Sequence, residues 1–414
     1  MYDKLVLPNG VRIVTQHMPG VRSASIGLWV GVGSRHETRA ENGSAHFIEH
    51  MLFKTTSNRT TRELALEMDA IGGQINACTT RENTCFYARV LDEHLDKAAE
   101  LLADMFFNAR FDEQEFETER GVVSEEISMY DDEPEDLVSE RLLLSVFPGA
   151  LGRPVAGTLS SVRGFTADSL REFKRRHYIA PRIVVSLCGS FTDDNVRRLA
   201  EAFSVLPSAK AGSQRKSVYR PSFTVRHKAV EQNHICLGFS APPAGSDSRF
   251  ALQILSTVAG GGMSSRLFQR VREERGLCYS IYSFQASFTD AGLFGIYAGL
   301  GRETERQSLQ LIRDELLRLR EDGVTQRELD CAREQARASI LMSLESTAAH
   351  MNKLGWGELT LGNVLSSDEL LARYEAVTRE DVRQAAQQIL QPEQMSLSAV
   401  GRVMTAEEYR TLLT

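Results

Sequence analysis

His46, Glu49 and His50 lie within the stretch GSAHFIEHMLF, residues 43–53. On a helix the two histidines share one face and their imidazoles can converge on one ion, with Glu49 leaning the same way. The order is that of a His-Glu-x-x-His metal site read backwards. Zinc takes nitrogen and oxygen ligands in a tetrahedron, and in catalytic sites it leaves one position for water. Such water loses a proton readily, and Glu49 is the candidate base that accepts it. The chemistry would be metal-assisted hydrolysis. The competing reading is a chance match on a solvated helix. Against it, Phe47, Ile48, Met51 and Leu52 make much of the helix apolar, so polar groups buried there need partners.

A catalytic zinc needs a third protein ligand. The pattern over residues 112–130 predicts a helix with Phe116, Val122, Val123, Ile127 and Tyr130 on one face. Glu119 and Glu126 lie near that face, about twenty degrees apart on the helical wheel. Glu125 sits about a hundred degrees from Glu126. A carboxylate on an apolar face is costly unless paired or ligated. Glu126 is therefore the third-ligand candidate, and Glu119 is placed to orient a histidine from behind. A plain solvated face stays open for both.

These residues must be held by a chain of 414 residues, long enough for two or three domains. Apolar residues make up 42% and charged residues 25%, an ordinary globular composition, and the net charge of -7 disfavours a nucleic-acid partner. No run of apolar residues is long enough to span a membrane. The N-terminal MYDKLVLPNGVRIVTQ reads as two strands joined at Asn9-Gly10 rather than as a secretory leader. Cys78, Cys85, Cys188, Cys236, Cys278 and Cys331 are scattered, which suits reduced thiols in a cytoplasmic protein. The remaining histidines lack ligand spacing.

The polar, breaker-rich PSAKAGSQRKSVYRPS, residues 207–222, reads as a linker between residues 1–206 and 223–414. Elements come in the same order in both halves. Strands (VRSASIGLWVGVG; HICLGFSAPP) precede a helix (AHFIEHMLF; RFALQILSTVAG), then more strands, then long helices. At a constant offset the segment from Phe111 meets that from Val324, pairing Glu115 with Glu328, Arg120 with Arg333 and Ile127 with Ile340. Two homologous α+β domains are expected, each an antiparallel sheet with helices on one face. At that offset Ala332 faces Glu119, Ser339 faces Glu126, and the second-half helix has no histidine. The first domain is thus the candidate catalytic, metal-binding one and the second a non-metal repeat.

His46-x-x-Glu49-His50, followed by Glu126 in RGVVSEEI, resembles the pitrilysin or insulinase family of inverzincin metallopeptidases. The length and two-half layout are similar to its short-chain branch, which includes mitochondrial processing peptidase and bacterial relatives. The resemblance implies one zinc ion per chain held by His46, His50 and Glu126, with Glu49 as base and Glu119 in support. It implies that GGQINACTTRENT is a substrate-binding edge strand, on which Asn76, Ala77 and Cys78 hold an extended peptide; an interior strand is the alternative. RVREERGLCYS resembles the family's Arg/Tyr pair, which puts Arg272 at a substrate carbonyl and Tyr279 at the developing oxyanion; a solvated helix end is the alternative. The Gly260–Gly262 run resembles a flexible loop of a non-catalytic family subunit, with a tight turn as the alternative. The implied activity is a zinc endopeptidase acting on short or unfolded peptides in a closed chamber, as a homodimer. Two other functions stay open: a non-catalytic scaffold subunit on the same fold, and a processing protease for targeting peptides.

Overall fold

The computed structural model describes residues 2–212 and 214–413. Strands β1 (Asp3–Val6), β2 (Arg12–His17), β3 (Ser23–Val30), β4 (Gln74–Thr79), β5 (Thr84–Leu91) and β6 (Ile183–Gly189) form one sheet, ordered β1-β2-β6-β3-β5-β4. Strands β7 (Phe223–His227), β8 (Asn233–Ala241), β9 (Cys278–Ser287), β10 (Gly292–Leu300) and β11 (Ser396–Gly401) form the other, ordered β7-β11-β8-β10-β9. Without β1, the two orders correspond strand for strand. The helices that position the site and cover the sheets include α1 (Ser44–Leu52), α2 (Leu95–Asn108), α3 (Glu113–Asp132), α4 (Pro134–Val146), α5 (Arg249–Gly260), α6 (Gln326–Ser343) and α7 (Thr347–Leu361). The first two strands pair antiparallel across the Asn9-Gly10 turn, where Gly10 takes φ 100°.

The architecture is α+β with two repeated units. Two details differ from antiparallel sheets covered on one face. First, each sheet holds one parallel pair, β2 with β6 and β7 with β11. A hairpin forces antiparallel pairing, but three further strands and several helices separate each of these partners, and so long a connection can return the strand parallel. Second, both faces of the first sheet are covered. Along β6, Ile183, Val185 and Leu187 join a core with Phe47, Ile48 and Met51 of α1 and Leu95 and Leu102 of α2. Val184 and Cys188 join another core with Met351 and Leu354 of α7. A strand buried on both faces loses the polar alternation that would betray it. In the second sheet Leu137, Val138 and Leu142 of α4 pack with Cys236, Leu293 and Tyr297. Every residue of β10 and β11 is buried, so that sheet too is covered on both faces there.

The covering helices come from the opposite halves of the chain. One unit contains the chain up to Ser128, Arg153–Arg215 and Met342–Ser366, and so takes in α7. The other contains Met129–Gly152, Lys216–Leu341 and the chain from Ser367 onward, and so takes in α4. The compact units therefore do not respect a single cut into 1–206 and 223–414. The break between Arg215 and Lys216 falls inside the 207–222 linker, of which residue 213 lies outside the described residues. In the first unit α7 is held by Glu358, whose buried carboxylate meets Lys4 at 2.7 Å and Arg12 at 3.3 Å. Among the described residues no helix is long and apolar enough to cross a membrane.

Candidate metal centre

Helix α1 lays Phe47, Ile48, Met51 and Leu52 into the core of the first unit. Phe47 stacks on Phe116 of α3, with 5.0 Å between ring centroids, and Val123 enters the same core, so α3 is fixed alongside α1. Glu126 lies three residues beyond Val123 and shares its side of the helix. His46 Nε2 and His50 Nε2 each lie 3.6 Å from Glu126 Oε2. The candidate ligand atoms of the three residues are all within 4.8 Å of one another. Glu125 stays exposed.

A separation of 3.6 Å is too long for a hydrogen bond. It is close to the ~3.3 Å between two ligand atoms that each sit about 2.0–2.1 Å from a tetrahedral zinc. Two imidazoles and a carboxylate are also the donor set of a catalytic zinc site. The residues present therefore fit the ion. Among the described residues no other group of three His, Cys, Asp or Glu side chains is clustered in this way.

Glu119, 6% exposed, holds its Oε2 3.1 Å from His50 Nδ1 and its Oε1 2.5 Å from Lys54 Nζ. When Nδ1–H donates to Glu119, the Nε2 lone pair of His50 faces Glu126. Burial pulls His46 down to about 4, against the pull of Glu126, so its imidazole is neutral and can ligate. Burial acts on His50 the same way, but Glu126 and Glu119 outweigh it and hold that group above its ordinary value. Burial also raises the Glu49 carboxyl, opposed by Thr79 and His50. The Thr79 hydroxyl donates to Glu49 Oε2.

Sequence reasoning does not single out Lys54 or Thr79. Thr79 had a signal: on β4 it shares a face with Ile75 and Ala77, which pack against the core that holds α1. Lys54 lies just beyond the end of α1, where helical spacing no longer gives its direction.

Asn76, Ala77 and Cys78 lie on β4, which among the described residues pairs only with β5 and forms the edge of the sheet rather than its interior. Asn76 and Cys78 are exposed and Ala77 is half-buried. The Ala77 amide donates to its neighbour's Asn76 Oδ1 at 2.8 Å. In the second unit, Arg272 lies on a π-helical turn, Phe268–Glu273, with its guanidinium 4.7 Å from the Phe268 ring centroid and 5.1 Å from that of Tyr279. Tyr279 is 75% exposed. Gly260 lies against β9, where a Cβ would meet the Ser283 amide nitrogen at 2.5 Å.

Residues 12–159 match the family described as insulinase (peptidase family M16), and residues 164–336 match the peptidase M16 inactive domain. The chain is 43% identical over 391 residues to the uncharacterized zinc protease YmxG of Bacillus subtilis (strain 168), covering 94% of this chain and 96% of that one. The chain belongs to peptidase family M16. It is a metalloprotease. A zinc protease of Streptomyces coelicolor is 41% identical to this M16 chain over 409 residues, covering 96% of this chain and 89% of its own. Among solved structures, a protease from Helicobacter pylori shares the M16 fold with a TM-score of 0.89 at 22% identity, covering 97% of this chain and 99% of that one.

Proposed function

We propose that the chain is a zinc-dependent endopeptidase that hydrolyses short or unfolded peptides inside an enclosed chamber. One zinc ion per chain is held by His46, His50 and Glu126, and Glu119 orients His50. The observation that carries this reading is the meeting of three elements in one unit. The three donors face one another, Glu49 is near enough to feel the charges of His50 and Glu126, and the free edge of β4 ends at the threonine that holds Glu49.

A bound zinc ion supplies a Lewis acid that polarises a carbonyl and makes water more acidic. The protein does the rest. Thr79 occupies Glu49 Oε2, leaving Oε1 to take the proton of the attacking water and return it to the leaving amine. The raised affinity of the buried Glu49 for a proton suits both halves of that transfer. An extended peptide adds to β4 as a further strand, and its carbonyl replaces Asn76 at the Ala77 amide. Strand addition demands an unfolded segment, which sets the substrate class. Arg272 holds a substrate carbonyl and Tyr279 donates to the developing oxyanion. The names of the relatives as zinc proteases support the metal. We further propose a homodimer, which native mass in solution tests, and a cytoplasmic location, which cell fractionation tests.

The test is hydrolysis of a quenched, terminally blocked, unstructured peptide by wild type and Glu49→Gln, with zinc content measured in both. Loss of turnover in the variant with zinc retained is expected, and a folded protein should not be cut. A zinc-loaded wild type that cuts no peptide in a varied library would favour the scaffold reading.

A further inference from the structure

Glu37 lies outside the metal cluster, on the segment that leads from β3 towards α1. Its carboxylate is 4% exposed and accepts three hydrogen bonds. Oε1 takes the Ala45 amide at 2.8 Å; Oε2 takes the Gly43 amide at 2.8 Å and the Asn42 side-chain amide at 2.9 Å. The first turn of a helix leaves amides without partners, usually met by a side chain at the N-cap. Here the N-cap is Gly43, at φ 99°, which has no side chain to offer. A residue six positions earlier does the capping instead.

A second segment closes over this anchor. Asn42 Nδ2 also donates to the Pro154 carbonyl at 2.9 Å, and Arg153 donates to the Glu37 carbonyl. A Cβ at Gly157 would meet the Asn42 carbonyl oxygen at 2.4 Å, so the two backbones are in direct contact. Burial pushes the Glu37 carboxyl up to about 7 despite its three donors. A Ser or Asp cap would be cheaper to bury. The position of the anchored amide gives a reason for so costly a cap, because Ala45 immediately precedes His46. His46 belongs to that first turn, whereas His50 sits a turn further in.

We infer that Glu37 is a positioning residue for the metal centre, its carboxylate setting the first turn of α1 so that His46 meets His50 and Glu126. The inference rests on the zinc reading of that cluster. Both carboxylate oxygens accept, so an amide at this position must turn its hydrogens towards another donor. Glu37→Gln therefore unsettles the turn without changing its volume.

The experiment measures the zinc dissociation constant by competition with a chromogenic chelator for wild type, Glu37→Gln and Glu358→Gln, with thermal midpoints alongside. Glu358 is a buried carboxylate of the same unit that holds α7 rather than α1. Glu37→Gln should weaken zinc by roughly tenfold, the scale of losing a charge-assisted hydrogen bond to the turn that carries His46, and saturating zinc should restore its kcat. Glu358→Gln should lower the thermal midpoint and leave zinc affinity within about twofold. Wild-type zinc affinity in Glu37→Gln, or equal weakening in Glu358→Gln, overturns the inference. If Glu37→Gln does not fold, Asn42→Ala removes one of the three donors and should weaken zinc several-fold; an unchanged constant overturns the inference equally. A wild type that binds no zinc overturns the reading of the cluster and the anchor with it. A wild type that binds zinc beside an equally tight Glu37→Gln overturns the anchor alone.

Discussion

Helices α3 and α6 have the same structural task in their two units and differ in chemistry. In the first unit Arg120 donates to the carbonyls of Val162, Arg163 and Phe165 at the end of a short helix. Its offset partner in the second unit, Arg333, donates to the carbonyls of Glu375 and Val377, again at a helix end. Both satisfy carbonyls that a terminating helix leaves open. Glu115 accepts from Thr55 and Thr61, and its partner Glu328 accepts from Thr325 and Arg266. The positions that anchor the helix are thus kept alike. Those that face α1 are not: Glu119 becomes a buried Ala332 and Glu126 becomes Ser339. The scaffold does not require those carboxylates, so their presence in the first unit calls for a chemical reason.

The sharpest way to break this contrast is at Glu126. Glu126→Gln should weaken zinc by more than the roughly 10–100-fold of an outer partner, while Glu125→Gln leaves it unchanged; equal zinc contents by atomic absorption would remove Glu126 from the ligand set. Next come the paired arginines. Arg120→Ala and Arg333→Ala should each cost about 1–3 kcal/mol in denaturant unfolding, because each strips charge-assisted hydrogen bonds from carbonyls. Arg120 should cost more, since it also stacks 4.9 Å from the Phe116 centroid. A cost confined to one unit would mean that the scaffold is not shared.

Thr79→Val sharpens the comparison within the first unit. It should lower kcat roughly tenfold with zinc intact, because Glu49 loses the donor that orients it; an unchanged kcat would detach Thr79 from the reaction. The smallest effect is with pH. His50 is held above its ordinary value, so protons displace zinc there first as pH falls, whereas His46, at about 4, resists until stronger acid. At limiting metal, zinc occupancy should decline roughly a few-fold as pH falls through the range just above that of an ordinary histidine. Occupancy flat to about pH 5 would break the assignment of His50.

Much of the candidate site was legible in the sequence. Helical spacing alone groups His46, Glu49 and His50, and the apolar side of α3 separates Glu126 from Glu125. The repeat was legible too, since the offset that pairs Arg120 with Arg333 pairs residues with the same kind of partner. Other features had no local trace. Lys4 and Arg12 reach Glu358 across most of the chain's length, and nothing in MNKLGWGELT says which sheet it will cover.

The sequence by itself determined the faces of helices and the edges of strands, because those arise from periods of a few residues. It offered candidate ligands in the first half and no counterparts at the matching positions of the second. Only the tertiary structure decided that α4 and α7 are exchanged between halves, that each sheet contains a parallel pair, and that Thr79, Lys54 and Glu37 converge on α1. These depend on contacts between residues far apart in the chain, settled by which apolar faces bury one another and which buried polar groups find partners.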